Sequence, residues 1–93
     1  MEDQTAFRAL VHGRVQGVGF RYFTQDRARK CGLVGEVRNL PDGGVEVVAL
    51  GKRGALEQLL RHLQDGPPAA QVAQCLVTWF ETTETFADFT IRP

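Results

Sequence analysis

Cysteine is scarce in this 93-residue chain: Cys31 and Cys75 are the two it has. They are too few for a disulfide framework and carry no metal-type spacing, so both are expected as reduced core residues. Histidine is equally thin, with His12 and His62, and the carboxylates do not cluster, which leaves no pattern for a metal site. No cofactor is expected either. No apolar run approaches the roughly 18 residues of a membrane span. The opening "MEDQTAFRAL" lacks a basic region followed by a long apolar stretch, so no signal peptide is expected and the chain is placed in the cytoplasm. Neither sign of charge dominates: 11 basic and 11 acidic residues give a formal net charge of +0 and a pI near 6.7. That balance argues against a general nucleic-acid binder. Linkers, repeats and low-complexity tracts are absent, and one domain over residues 1–93 is expected, as a monomer.

The neutral total hides an asymmetry. From Arg8 to Arg38 there are seven basic residues (Arg8, Arg14, Arg21, Arg27, Arg29, Lys30, Arg38) against Asp26 and Glu36. The remainder of the chain is correspondingly acidic. A local excess of this kind suits a small anion better than a long polyanion, which needs a broad basic face. Chance scatter over solvated surfaces is the other reading of the same count.

Within that segment, "GRVQGVGFRYF" (Gly13 to Phe23) places three glycines in seven positions, with Arg14 among them and Arg21 just beyond. It follows "AFRALVHG", where Phe7, Ala9 and Val11 alternate with Arg8, Leu10 and His12, the pattern of a half-buried strand. It precedes "FRYFTQDRARKCG", where Phe20, Phe23, Thr24, Ala28 and Cys31 share a helix face and Gly32 is the stop. Arg27 falls close to that apolar stripe, which leaves the rotation of the helix open. Two β-rich runs, Leu33–Leu40 and Val45–Leu50, flank the turn "PDGG" and predict a hairpin. A second helix carries Leu56, Leu59, Leu60 and Leu63, ending at Gly66 before Pro67-Pro68. "QVAQCLVTWFE" and "TFADFTIR" read as closing strands. The order β-α-β-β-α-β plus a short fifth strand is that of an α+β, ferredoxin-like sandwich: a mostly antiparallel sheet with two helices on one face.

The glycine loop therefore ends at a helix N-terminus, where amide N–H groups lack intrahelical partners and the macrodipole is positive. Gly13, Gly17 and Gly19 fit neither G-x-G-x-x-G nor the P-loop pattern. They can form a nest of amides for an anion or simply a tight connection. Arg21 stands in the first helical turn, where the dipole disfavours a cation; a bound dianion would account for it, as would pairing with Asp26 or plain solvation. Asn39, from its residue type alone, is a turn residue at the hairpin entry.

"VHGRVQGVGFR", "ARKCGLVGEVRN" and "DGGVEV" together closely resemble the acylphosphatase family, from Phe7 to the closing "FTIR". The resemblance implies hydrolysis of the carboxyl–phosphate anhydride of a small acyl phosphate, without metal or cofactor. It implies that Arg21 binds the phosphate, that the backbone of Gln16, Gly17, Val18, Gly19 and Phe20 cradles it, and that Asn39 orients the attacking water. Glu36 stands where many relatives carry tryptophan, Gly43-Gly44 is expected to loosen the turn, and Pro93 stands where tyrosine is frequent. A non-catalytic phosphate- or acyl-phosphate-binding module is the alternative, because the same unit occurs within larger maturation proteins. An RNA-binding sheet face would want exposed aromatics and free basic residues, and Glu36, Glu46 and Glu81 weaken it. A cysteine phosphatase loop fails as well, since Val37 and Glu81 stand six residues beyond the two cysteines.

Overall fold

Strand β1 (Gln4–Arg14) keeps the expected alternation: Phe7, Ala9 and Val11 are fully buried, while Arg8, Leu10 and His12 lie on the opposite face. This is seen in a computed structural model that describes residues 4–93, so the first three residues of the expected domain lie outside the described ones. Next come α1 (Phe20–Lys30), β2 (Val34–Asn39), β3 (Val45–Leu50), α2 (Arg53–Asp65), β4 (Gln71–Thr82) and β5 (Phe89–Ile91). The sheet order is β4-β1-β3-β2-β5. Because β3 is antiparallel to both β1 and β2, those two run parallel with β3 between them, the split β-α-β arrangement that the element order requires. The fold is the ferredoxin-like sandwich.

Both helices cover one face of the sheet. Leu56, Leu59 and Leu63 of α2 and Phe20, Thr24 and Ala28 of α1 are buried against Val37, Val45, Val47 and Ala49. Each buried leucine contributes about 1.5–3 kcal/mol, so the α2 stripe alone fixes how that helix docks. The end of α1 is closed by two main-chain bonds, Leu33 N–H to Ala28 O at 2.9 Å and Gly32 N–H to Arg29 O at 3.0 Å. Arg27 is accommodated on the margin of the apolar stripe: its guanidinium lies 4.8 Å over the Phe23 ring and pairs with Asp26. His62 on α2 meets the Phe23 ring edge-on at 6.4 Å.

The fifth strand is shorter than its sequence run. Only Phe89–Ile91 pairs, in parallel with Gly35–Val37, and Arg92 N–H extends the contact to Val37 O. Asp88 ends the run on its N-terminal side by accepting the Phe89 N–H and the Arg29 guanidinium. Glu36, the departure on β2, which lies between β3 and β5, is matched by Arg92 at 3.2 Å. No helix among the described residues is long and apolar enough to cross a membrane.

The uncovered face of the sheet centres on Glu46, whose carboxylate accepts from Arg8 Nε at 2.6 Å and Arg38 Nε at 2.7 Å. Burial pushes this carboxyl up, but the hydrogen bonds from Arg38 and Arg8 outweigh that and hold it below its ordinary value of 4.5. The native state thus binds fewer protons than the unfolded chain through this window. The stabilisation is present above about pH 4.5 and is lost as pH falls through the depressed native value. With both guanidinia half exposed, we expect Glu46→Gln to cost about 1 kcal/mol at pH 7. In urea titrations the variant and wild type should converge as pH falls through the depressed native value and the wild-type carboxyl becomes protonated. A gap that persists unchanged at low pH would mean that packing, not charge, carries the effect.

Candidate active site

The loop from Val15 to Gly19 is pinned at both ends by side chains in the core. Val15 and Phe20 are each 1% exposed, and Val18 packs partly against the same cluster. Between them the backbone alternates in handedness. Gly17 has φ +73° and Gly19 φ +79°, while no non-glycine residue has positive φ. Alternation of this type turns successive N–H groups toward one side, and a Cβ at either glycine would strain the backbone although it meets no neighbour. The consequence is visible in the hydrogen bonds. Among the described residues, the backbone N–H groups of Gln16, Gly17, Val18, Gly19 and Phe20 donate to no protein acceptor. Gly19, the N-cap of α1, has no side chain to satisfy the first turn, and that turn holds no acidic residue. Five consecutive amide donors stay unspent at the positive end of a helix dipole.

Arg21 follows directly, half buried in the first turn of α1. Asp26 is taken instead by Arg27 and Lys30. In the basic segment, Arg8 and Arg38 pair with Glu46, and Arg29 pairs with Asp88. Among the described residues, Arg14 and Arg21 are the two cations of that segment without a carboxylate. Every cation of this segment except the two beside the glycine loop therefore has a carboxylate partner among the described residues.

Asn39 closes β2, opposite Val45 in the hairpin register. Its Oδ1 is buried and accepts no hydrogen bond from the protein. A buried acceptor of this kind costs about 1–3 kcal/mol and calls for a function. The loop and this strand end are tied together by the Gln16 side chain, whose Nε2 donates to Leu40 O and to Gly44 O, both at 2.8 Å. The structure thus joins the cradle segment to the residue beside Asn39.

The turn itself departs from expectation. Gly43-Gly44 does not loosen it: Leu40 N–H donates to Gly44 O at 2.8 Å and Gly43 N–H to Leu40 O at 3.1 Å. Asp42 Oδ1 accepts the Gly44 N–H at 2.9 Å, and its Oδ2 lies 3.1 Å from His12 Nε2. The Gly44 amide, then the His12 ring, hold the Asp42 carboxyl below its ordinary range. A Cβ on Gly44 would come within 2.7 Å of the His12 ring, so glycine is there for close approach rather than looseness. Asp42 and the Gln16 side chain are contributors that residue patterns did not single out; the Asx-turn spacing from Asp42 to Gly44 was the one local signal.

The cysteines take no part in this arrangement. Burial pushes both thiols up, outweighing the nearby Arg61 charge in the case of Cys31. Among the described residues, no three of histidine, cysteine, aspartate and glutamate come together to hold a metal ion.

Fold and loop together define a ferredoxin-like sandwich presenting a glycine-rich turn at a helix N-terminus, flanked by an arginine that has no carboxylate partner among the described residues. A sequence model described as acylphosphatase matches residues 7–91, and the chain belongs to this family of enzymes. Over 91 residues it is 47% identical to an acylphosphatase of Methanococcoides burtonii, covering 98% of this chain and 95% of that one. It superposes on the crystal structure of acylphosphatase from Bacillus subtilis with a TM-score of 0.93 at 40% identity, covering 96% and 99% of the two chains. Full-length HypF in its phosphate- and nucleotide-bound form contains a similar unit. There the TM-score is 0.81 at 29% identity, over 100% of this chain but 12% of HypF.

Proposed function

We propose that this chain hydrolyses small acyl phosphates to a carboxylate and inorganic phosphate, acting as a monomeric cytoplasmic enzyme. Residues 1–93 form one acylphosphatase-like domain in this reading. The observation that carries it is that, among the described residues, the amide donors from Gln16 to Phe20 are unspent and lie beside an arginine with no carboxylate partner. The amides and the Arg21 guanidinium bind the phosphate dianion, the guanidinium offering the planar fork that two phosphate oxygens prefer. Asn39 holds the attacking water through its carboxamide, in line with the scissile P–O bond. The water oxygen bonds to phosphorus as the bond to the carboxylate oxygen breaks. The substrate's own phosphate oxygens take the proton, so acyl phosphate dianion and water give carboxylate and dihydrogen phosphate. The carboxylate is a good leaving group, so positioning and charge stabilisation suffice without a covalent nucleophile.

The test is phosphate release from benzoyl phosphate with and without excess chelator. We expect turnover that chelation leaves unchanged. Folded wild type that binds inorganic phosphate yet releases none from the substrate would make the chain a binding module and remove the role of Asn39. Turnover abolished by chelation would replace this mechanism with a metal-dependent one.

A further inference from the structure

We propose that the Gln16 side chain is the positioning residue that sets the cradle at its working distance from Asn39. This inference rests on the catalytic reading above and adds a residue to it. In that reading Gln16 contributes its backbone amide; its side chain has a separate task. Both hydrogens of its amide nitrogen are spent, one on Leu40 O and one on Gly44 O, each at 2.8 Å. With two carbonyl oxygens facing it, the group there must be the NH2, which fixes the orientation of the carboxamide. A nitrogen so engaged has no hydrogen left for a phosphate.

The two acceptors are special positions. Leu40 is the residue after Asn39, and its N–H pairs with Gly44 O across the mouth of the turn. Gln16 Nε2 therefore grips the residue pair that closes the hairpin, next to the side chain that aims the water. Sequence separations of 24 and 28 residues mean that no local rule brings these groups together. On the other side of the turn Asp42 and Gly44 are braced against His12. The hairpin mouth thus has one strut to β1 and one to the cradle, and Gln16 is the one that reaches the reacting groups. Loss of this strut leaves each half of the site formed but free to drift relative to the other. A displacement on the order of 1 Å can cost about 100-fold in rate without destroying binding.

The experiment is a double-mutant cycle between Gln16 and Asn39 with benzoyl phosphate as substrate and inorganic phosphate as competitive inhibitor. Gln16→Met keeps the stem volume and removes both donors; Gln16→Ala removes the stem as well. Near-UV circular dichroism establishes that each variant is folded, and Gln16→Met carries the test where Gln16→Ala is not. We expect kcat to fall by about 10- to 100-fold in Gln16→Met. Phosphate inhibition should stay within about twofold of wild type, since the cradle and Arg21 persist. In the Asn39→Ala background the same Gln16→Met change should alter kcat by less than about threefold, because the residue it positions is gone.

An equal loss in both backgrounds overturns the proposal, as does weakened phosphate inhibition in step with kcat, which would place the side chain in the cradle. Gln16→Met at wild-type kcat overturns it too and leaves packing as the role of the stem. A wild type that releases no phosphate overturns the catalytic reading and this inference with it. An active wild type with Asn39 essential but Gln16 additive overturns this inference alone.

Discussion

Arg21→Ala should lower kcat/KM for benzoyl phosphate by at least about 10³-fold while making the folded protein slightly more stable. The first part follows from what is asked of the guanidinium. In the proposed mechanism its interaction grows more favourable as the transferring phosphoryl group spreads its charge over three oxygens. Removing a neutral oxyanion donor typically costs about 2.7–4 kcal/mol, and a cation in the same role costs no less. Both KM and kcat should suffer, since the dianion is bound before as well as during the reaction. Arg21→Lys should recover only a part, because a point charge cannot replace a bidentate fork. The second part follows from the position. A cation in the first turn of α1 opposes the helix dipole, at a typical cost of about 0.3–1 kcal/mol, and no carboxylate among the described residues offsets it. Urea titration of Arg21→Ala should show that much gain. A variant that is both inactive and less stable would instead assign Arg21 a structural role in the loop.

That opposition between local stability and proposed function is also what made the candidate site legible in the residues. A cation at the wrong end of a helix and glycines clustered before it are both violations of local preference, and such violations concentrate at functional positions. The elements were readable for the opposite reason. Phe7, Ala9 and Val11 on β1 and Leu56, Leu59 and Leu63 on α2 obey simple periods, so their buried faces follow from spacing alone. What spacing could not reveal were contacts made across the fold. Arg27 looked misplaced because its solution, the Phe23 face and Asp26, depends on side-chain direction rather than position. Gly43-Gly44 looked loose because nothing local says that His12 packs against Gly44. The run before Phe89 looked like strand, but β2 offers its free edge over three residues and Asp88 turns the chain before them. Even the charge excess of the first half was ambiguous as a count. It became informative once Glu46, Asp26 and Asp88 had claimed five of the seven cations and left the two that flank the loop.

Asn39→Ala is the complementary case: kcat should fall by about 10²–10³-fold, with inhibition by inorganic phosphate kept within about threefold. The distinction comes from where the two residues act. In the proposed mechanism Arg21 touches the dianion in the ground state, whereas Asn39 acts on the water, whose placement matters only as the P–O bond forms. A loss confined to kcat is the signature of an interaction made in the transition state alone. Folding should gain rather than lose. Oδ1 of Asn39 is buried without a protein donor, and removing such an acceptor relieves a desolvation cost of about 1–3 kcal/mol, less whatever the truncated side chain gives up in packing. Asn39→Asp separates aim from charge. It keeps an acceptor at the same place but sets a carboxylate beside the substrate dianion, so KM should rise along with the loss in kcat. If Asn39→Ala weakens phosphate inhibition as much as Arg21→Ala does, the asparagine belongs to the binding site and the water must be held elsewhere. If instead kcat falls alone and the urea midpoint rises, the carboxamide of Asn39 is kept at the expense of stability for the one step in which a water has to point at phosphorus.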